Sequence, residues 1–387
     1  MSLRKDCPGC GRTQLTRPFL LESQPVVLNY RFASPAESEA VPRRDIQLVQ
    51  CRSCGLVFNA NFDDSVIPYD ANYENRQCFS PAFQNHLQHL ATSLNHRYAL
   101  RGKRILEVGC GKGDFLKGLC KLTGARGVGY DTTFEGDPGS PRSQVEFHRR
   151  YATAADITKP YHLLICRHVV EHVGPIGAFL KELHALAAAA GDPVVVLETP
   201  LFEWIVQNHC LWDVFYEHCN YFPRTSLAYL CRNAGFKVVA HRAVVGGQYQ
   251  VLELRLARRK VALKLPGIPT AGALSTFAKS ASADRRRMLA TLQKQSLQGS
   301  WAIWGAGAKG VALVHLLPEN PPQFVIDSNA AKQGCVIAGS AVPIIGPTDP
   351  RLHSVPAILI ANPNYTAEIS KSLHELAYTG RTFSFQA

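Results

Sequence analysis

The 387-residue sequence has little charge and no long apolar segment. Asp, Glu, Lys and Arg make up only 19% of it, and no apolar run approaches the ~20 residues that a bilayer span requires. We therefore expect no membrane partner, and because no apolar stretch follows the basic residues near the N-terminus, no signal peptide is visible. With 46% hydrophobic residues, the composition is that of a globular protein rather than a disordered chain. We expect a cytoplasmic protein, and the usual ~100 to 200 residues per domain indicates two or three domains.

The formal net charge of +12 could indicate a nucleic-acid partner, an anionic small molecule or only a solvated surface. The basic residues are scattered along the chain, which argues against a nucleic-acid partner. Most of the twelve cysteines stand singly in apolar stretches, among them Cys110, Cys166 and Cys231, where reduced thiols fit better than disulfides.

Two CxxC pairs near the N-terminus have the spacing of a zinc site. Cys7 and Cys10 form the first pair, Cys51 and Cys54 form the second, and a glycine follows each pair. A gap of two residues lets both thiolates face one ion, and the glycine allows the backbone to approach the sulfurs closely. Four thiolates leave no open coordination position, so we expect one structural Zn²⁺. Free or redox-active cysteines are the alternative.

The insert between the two pairs, residues 11–50, is longer than that of an ordinary zinc ribbon. Residues 46–49 and 56–58 predict short strands on either side of the second pair. A zinc ribbon can bind nucleic acid, and this is the main alternative to an enzyme. Residues 31–42 do not favour it, because they contain no interleaved basic and aromatic residues that would hold a phosphate backbone.

A strand, a glycine-rich turn and a helix are predicted in the middle of the chain. Gly109, Gly111 and Gly113 let the backbone pass close to a ligand and present N–H groups at the start of the helix. The next strand ends in Asp131, about 20 residues after the glycines, where a carboxylate can bind ribose hydroxyls. A turn without any ligand is the alternative, but strand, turn, helix, strand and acid occur here in order.

This ExGxGxG pattern, which begins at Glu107, resembles the class I S-adenosylmethionine methyltransferases more than the dehydrogenases. The resemblance implies that Glu107 lies near the amino-acid end of the cofactor and that Asp131 holds its ribose. Arg150 stands where the family often has an acid near adenine. The implied residues for binding S-adenosylmethionine are Glu107, Gly109, Cys110, Gly111, Gly113, Asp131 and His168.

The remaining strands of this domain follow in the order expected for that class. Residues 162–166 predict a fourth strand, and residues 167–172 follow at the carboxyl edge, where open α/β sheets bind ligands. A fifth strand is predicted at 194–198, and an antiparallel pair at 237–245 and 248–255 closes the domain.

Residues 212–222 contain five aromatic residues, two acids and a histidine. A histidine can act as a general base near neutral pH, a carboxylate can orient a neighbour, and a tyrosine hydroxyl can stabilise an oxyanion. Taken alone, such a segment is more often a core cluster with a satisfied histidine.

The entire chain resembles the three-part sugar C-methyltransferases, which join a zinc-binding module, a class I methyltransferase domain and a C-terminal Rossmann-like domain. Residues 217–221 match the Glu-His active-site motif of that family. The resemblance implies the following catalytic residues: His218 as the base, Glu217 orienting nearby groups, Tyr216 or Tyr221 meeting the oxyanion, and His172 assisting.

Three departures from the family concern the substrate. Sugar-acting members carry Tyr-His-Glu-His, whereas Phe215 and Tyr216 precede the Glu-His pair here. His168 stands where an Asn is common, and residues 73–78 replace an expected Tyr-x-Tyr-x-Ser-Ser stretch. The architecture and the cofactor therefore follow more directly from the resemblance than the sugar does.

A second nucleotide-type turn lies near the C-terminus. Gly305, Gly307 and Gly310 follow a predicted strand, and Asp327 ends the next one, so parallel βαβ order is expected. A dehydrogenase would bind NAD there, which is the rival enzyme class. No second set of reactive residues follows, and the family carries this turn in a domain that packs over the substrate. Lys309 could reach a substrate phosphate, although a solvated lysine is the more common case.

The predicted fold is α/β, with a class I methyltransferase domain between a zinc-knuckle module and a second Rossmann-like domain. The predicted reaction is methylation of a carbon beside a ketone, through an enolate, on a nucleoside-diphosphate keto-deoxysugar. Another small metabolite, methylated at carbon or oxygen on the same scaffold, is the alternative, and a zinc-mediated binding protein comes third.

We expect a monomer or a homodimer. The predicted boundaries are 1–68 for the zinc-binding module, 69–258 for the methyltransferase domain, 259–299 for a helical linker and 300–387 for the last domain.

Overall fold

Three β-sheets organise the chain. The computed structural model describes residues 3–70, 72–74, 76, 78–140, 142–258, 271–294, 297 and 299–385. No helix in this described part is both long and apolar enough to cross a membrane.

The first sheet is antiparallel and holds the predicted zinc module together. Its order is β1-β2-β3-β9, with β9 supplied from far along the chain. Val57 pairs with Tyr221 and Phe58 with Asn220, so this sheet joins the front of the chain to residues that directly follow His218. The elements are β1 (Phe19–Pro25), α1 (Pro35–Glu39), β2 (Arg43–Gln50), β3 (Val57–Asn59) and β9 (Asn220–Tyr221).

The second sheet has seven strands in the order β10-β11-β8-β7-β4-β5-β6. Its inner strands are continuous buried apolar runs, because helices cover both faces of a parallel sheet. Only β11 is antiparallel to its neighbours β8 and β10, which confirms the predicted closing hairpin. The strands are β4 (Arg104–Val108), β5 (Arg126–Tyr130), β6 (Val145–His148), β7 (Leu163–Arg167), β8 (Val194–Pro200), β10 (Phe236–Val244) and β11 (Tyr249–Leu256).

The helices of this part begin and end at residues suited to those positions. Ser80 caps one of them, because its Oγ accepts a hydrogen bond from the Phe83 amide (3.2 Å). Another lies between Gly113 and Gly124, which both have left-handed backbones that glycine adopts freely. The helices are α2 (Pro81–Tyr98), α3 (Asp114–Thr123), α4 (Ile176–Ala189), α5 (Phe202–Gln207) and α6 (Arg224–Asn233).

The third sheet is parallel throughout, with the order β14-β13-β12-β15-β16, as the βαβ pattern predicts. The glycine turn at Gly305 directly follows its central strand, so the turn lies at the carboxyl edge. Of the predicted linker, residues 271–294 form one helix, while residues 259–270 lie outside the described part of the chain. The elements are α7 (Ala271–Lys294), β12 (Ala302–Trp304), α8 (Ala308–Leu316), β13 (Phe324–Ile326), β14 (Ile344–Ile345), β15 (Ala357–Ile360), α9 (Thr366–Glu375) and β16 (Arg381–Phe383).

One hydrophobic core runs through the front sheet, residues 201–221, α7 and the last domain. The insert near α1 also contacts the last domain directly, because the Ser38 hydroxyl donates to the Ile337 carbonyl (2.7 Å). The Val336 amide likewise donates to the carbonyl of Phe32 (3.1 Å). The front of the chain therefore packs against both of the other parts rather than standing apart as a separate module.

Candidate active site

A cavity of about 390 Å³ lies where the carboxyl edges of the two parallel sheets meet. The front insert contributes Asn29, the middle domain contributes His168, His172 and His218, and the last domain contributes Lys309. The volume falls in the usual range of small-molecule sites. All three parts of the chain are needed to enclose it.

His218 and His172 are neighbours on the cavity wall, with ring centroids 4.8 Å apart at an interplanar angle of 80°. Nδ1 of His172 donates to the backbone carbonyl of Glu217 (3.0 Å), which fixes the orientation of the His172 ring. The ring of Phe215 packs against that of His218, with the two ring centroids 4.1 Å apart. Burial, together with the charges of His172 and Lys309, holds the pKa of His218 well below its usual range. The resting imidazole is therefore neutral and can accept a proton.

Glu217 is adjacent to His218 in sequence but points away from it. Its Oε1 accepts from the backbone amides of Leu28 (2.5 Å) and Asn29 (3.2 Å), and its Oε2 accepts from the Tyr73 hydroxyl (2.7 Å). The carboxylate is fully buried. Its hydrogen bonds therefore connect the segment that carries His218 to the front insert, and its predicted orienting role stays a prediction.

The hydroxyls of Tyr216 and Tyr221 do not face the cavity. The Tyr216 hydroxyl donates to the carbonyl of Asn61 (3.1 Å) and accepts from the amide of Asp63 (2.9 Å). The Tyr221 hydroxyl donates to the carbonyl of Phe215 (3.1 Å) and accepts from its amide (3.0 Å). The expectation that one of them meets an oxyanion does not agree with these contacts, because backbone groups already use both hydroxyls.

A buried charge cluster at the ends of β7 and β8 was not predicted from the sequence. Glu198 binds Nε of Arg167 (2.6 Å) and Nε2 of His86 (2.6 Å). His168 lies within 3.5 Å of Glu171 and 3.7 Å of Glu198, and although burial opposes it, these carboxylates raise the pKa of His168 to about 9. His168 is therefore a cation on the cavity wall.

The glycine turn after β4 is held by the end of β5. The amides of Gly109 and Cys110 donate to the carbonyl of Tyr130 (2.8 and 3.2 Å), and the amide of Gly111 donates to Oδ2 of Asp131 (2.8 Å). Gly113 caps α3 with φ of 82°. The predicted turn and the acid that follows it are thus brought together at one edge of the sheet.

Three buried polar atoms near this turn have no hydrogen-bond partner among the described residues: Oε2 of Glu107, Nη2 of Arg167 and Nε2 of His168. Burial raises the pKa of Glu107 to about 8, against the opposing effect of Arg167. Unpaired buried polar atoms are costly, and a group with both an ammonium and a carboxylate could pair with them. The amino-acid end of S-adenosylmethionine is such a group, so the residues fit the cofactor that the sequence predicts.

The four cysteines of the two CxxC pairs converge. Their Sγ atoms all lie within 4.8 Å of one another, with Cys7 3.5 Å from Cys54 and Cys10 3.6 Å from Cys51. A tetrahedral zinc ion with Zn–S bonds of ~2.3 Å separates its sulfurs by roughly 3.7 Å. The cluster therefore has the dimensions of such a site.

The last domain adds an ion pair to the cavity wall. Lys309, in the first turn of α8, pairs with Asp213, and its ammonium lies 5.5 Å from the centre of the Trp204 ring. Both side chains of the pair are largely buried. Asp213, like Tyr73 and Asn29, lines the cavity but was not predicted as a site residue. The sequence gives no local signal for any of the three, because their partners lie far along the chain.

Comparisons with known proteins match two stretches of the chain to known domain families. Residues 83–241 match a family described as methyltransferase domain, and residues 256–386 match one described as C-methyltransferase C-terminal domain. The C-methyltransferase NovU of Streptomyces niveus is 26% identical over 367 residues, which cover 87% of this chain and 85% of NovU.

Solved structures resemble only part of the chain. Magnesium protoporphyrin IX methyltransferase from Synechocystis PCC 6803 with bound SAM is 16% identical and has a TM-score of 0.34, covering 46% of this chain and 80% of its own. The Burkholderia thailandensis 1,6-didemethyltoxoflavin-N1-methyltransferase is 17% identical with a TM-score of 0.33, covering 44% and 78%. The two domain matches and NovU carry the comparison instead. They show an S-adenosylmethionine-dependent methyltransferase in which a methyltransferase domain is followed by a C-methyltransferase C-terminal domain.

Proposed function

We propose that this enzyme methylates the carbon beside a ketone in a nucleoside-diphosphate keto-deoxysugar. The observation that carries the proposal is the position of His218, whose ring lies on the cavity wall beside His172. No described residue hydrogen bonds to its ring nitrogens, so a neutral imidazole is left to act on a substrate. The resemblance to sugar C-methyltransferases supports the choice of acceptor.

The reaction requires a base, because a carbon beside a ketone is too weak a nucleophile until it loses a proton. His218 takes that proton, and the electron pair of the C–H bond moves into an enolate whose negative charge lies on the ketone oxygen. When bound, S-adenosylmethionine supplies the electrophilic methyl group that the carbon accepts. Glu217 holds the histidine segment in place, and His172 supports the ring of His218.

We assign stabilisation of the enolate oxygen to Lys309. Its ammonium has three hydrogens and lines the cavity, and Asp213 is its one ion-pair partner among the described residues. The hydroxyl of Tyr73 also lines the cavity, but its single hydrogen is donated to Glu217. A cation aimed at a developing oxyanion is the kind of group that lowers the barrier of such a step most.

The four clustered cysteines are proposed to bind one structural Zn²⁺. Cys7 and Cys51 lie at equivalent positions of two similar turns, since the amides of Gly11 and Gly55 donate to their respective carbonyls (2.8 and 2.9 Å). Both glycines have positive φ, which is the conformation that such a knuckle requires. All four ligands would come from the protein, so the ion would take no part in the reaction.

Replacing His218 by Asn tests the proposed base. Loss of a general base typically reduces rate ~100- to 10,000-fold, so we expect H218N to lose turnover with a panel of nucleoside-diphosphate keto-deoxysugars. Its affinity for S-adenosylmethionine, measured by calorimetry, should remain that of the wild type. In D₂O the wild type should exchange the proton beside the ketone, and H218N should not.

The exposed His353 offers a matched control, and H353N should behave as the wild type. Near-normal turnover in H218N would reject the base. If the wild type instead methylates a hydroxyl without exchanging any carbon-bound proton, O-methylation of another metabolite replaces the proposal.

A further inference from the structure

Glu171, His172 and His218 meet on one wall of the cavity and together have the donor set of a transition-metal site. Each residue offers one ligand atom, a carboxylate oxygen or a ring nitrogen, and these three atoms all lie within 4.8 Å of one another. All three residues line the cavity. Two imidazoles and a carboxylate bind Zn²⁺ and similar divalent ions, whereas Mg²⁺ prefers oxygen ligands.

The spacing of the two imidazole rings matches that of rings bound to one ion. Their centroids lie 4.8 Å apart. A zinc ion with Zn–N bonds of ~2.1 Å and an angle of about 90–109° between them holds two such centroids roughly 4.6–5.3 Å apart. The rings therefore already have the separation that shared coordination requires.

The hydrogen bonds of the two histidines leave lone pairs available for a metal. Nδ1 of His172 lies 3.0 Å from the carbonyl oxygen of Glu217. Because a carbonyl only accepts, the proton of His172 is on Nδ1, and the lone pair is on Nε2. Metal-binding histidines usually donate their other ring nitrogen in this way. No described residue hydrogen bonds to the ring nitrogens of His218, so no contact must be broken there.

Glu171 is a buried carboxylate whose contact with the nearby His168 is long. It is only 1% exposed, and its Oε2 accepts from the Thr199 hydroxyl (2.9 Å), which orients the group. Nδ1 of His168 lies 3.5 Å from Oε1, beyond the ~2.7–2.9 Å of a charge-assisted hydrogen bond. Because a buried charge is costly unless it is closely paired, a divalent ion at this position would stabilise the carboxylate.

We propose that Glu171, His172 and His218 bind a second Zn²⁺, separate from the one proposed for the four cysteines. Three protein ligands leave a coordination position for water or a small molecule, unlike the closed four-cysteine site. A neutral imidazole has one ring lone pair, and the ion would occupy that of His218. Excess zinc would therefore inhibit proton abstraction reversibly. The site rests on geometry alone, and only the inhibition rests on the proposed function.

Cobalt(II) tests the site in the absence of acceptor and S-adenosylmethionine, because its absorption spectrum reports the type of ligand. Wild-type protein that retains its own zinc should develop visible d–d bands on titration with cobalt chloride. The strong near-ultraviolet bands of cobalt bound to thiolates should be missing, and added Zn²⁺ should remove the visible bands by competition.

Two variants each remove one ligand. Changing even a group that hydrogen bonds to a ligand costs ~10- to 100-fold in metal affinity, so E171Q and H218N should weaken cobalt binding at least about 100-fold. Gln at position 171 keeps an acceptor for the Thr199 hydroxyl. E375Q, at an exposed glutamate of α9, and H353N, at an exposed histidine, are the matched controls and should bind cobalt as the wild type does.

The absence of visible cobalt bands in the wild type, or wild-type cobalt affinity in both ligand variants, would overturn the site. Zn²⁺ should also slow the exchange of the substrate proton in D₂O over the concentrations that displace cobalt, and dialysis should restore the exchange. Faster exchange with added Zn²⁺ would overturn the inhibition. Turnover that persists in H218N while its cobalt bands are lost would reject the base and support the metal site, so the two proposals can fail independently.

Discussion

Lys309 and Asp213 show how a single pair of residues can link domains that are distant in sequence. Asp213 is only 4% exposed, and it precedes His218 by a few residues, while Lys309 belongs to the last domain. Truncating the lysine alone would leave a buried carboxylate unpaired, which is itself destabilising. Its role in the reaction must therefore be separated from its role in the ion pair.

Turnover of K309M should fall ~100- to 1,000-fold, the usual effect of removing an oxyanion donor. The double variant D213N/K309M removes both charges, so it should recover stability but not turnover, whereas D213N alone should keep most activity. Steady-state kinetics and thermal unfolding measure the two effects. Normal turnover in the double variant would contradict the assignment of Lys309.

At the residue scale, the sequence indicates which residues belong to the site better than it indicates which residues they contact. Asp131 was predicted from motif order, and His218 and His172 from the family resemblance. The structure brings both histidines to the cavity and Asp131 to the glycine turn. The partners of Glu217 could not be recognised, because Leu28 and Asn29 precede it by 189 and 188 residues. A local sequence pattern cannot predict a hydrogen bond between residues so far apart in the sequence.

At the scale of elements, the turn after β4 is sensitive to any added side chain. Gly109 has φ of 72°, and a Cβ there would lie 2.2 Å from Cγ2 of Val169. Gly102 has a similar φ of 70°, but nothing lies within 4 Å of its position. An alanine at either position would strain the backbone, but only an alanine at Gly109 would also collide with a neighbouring side chain.

G109A should bind S-adenosylmethionine at least about tenfold more weakly, because the turn or Val169, next to His168, must shift. G102A should cost ~1–2 kcal/mol of stability through its left-handed backbone and leave that affinity unchanged. Calorimetric titration and denaturant unfolding give the two quantities. Equal cofactor affinities in the two variants would show that the turn is not a binding element.

The parallel strands of the second and third sheets were predictable because buried parallel strands are continuous apolar runs, as residues 163–166 illustrate. The pairing of β3 with β9 could not be predicted from the sequence. The latter strand has only two residues, too few for any periodicity, and its position depends on contacts made by the front of the chain.

At the scale of the whole molecule, the proposed zinc module and the segment that carries His218 share a sheet. Cys51 directly follows β2, and β3 begins shortly after Cys54. Because β3 pairs with β9, which starts two residues after His218, loss of the metal should disturb the base as well as the module.

The protein should contain about one equivalent of zinc, and C51S should lose it together with thermal stability. Turnover in C51S should fall more than the affinity for S-adenosylmethionine, since the glycine turn belongs to the other sheet. The half-buried Cys335 serves as control, and C335S should retain its metal. Metal-free wild-type protein with unchanged stability would contradict the zinc site.

The enclosure of the cavity by Asn29, His218 and Lys309 has a consequence for the growing chain. During synthesis, the strands of the middle sheet are complete before Lys309 has been made. A nascent chain at that stage possesses the glycine turn and the proposed base, but neither Lys309 nor the other cavity-lining residues of the last domain. On the proposed mechanism, the order of translation delays proton abstraction until the last domain has folded over the site.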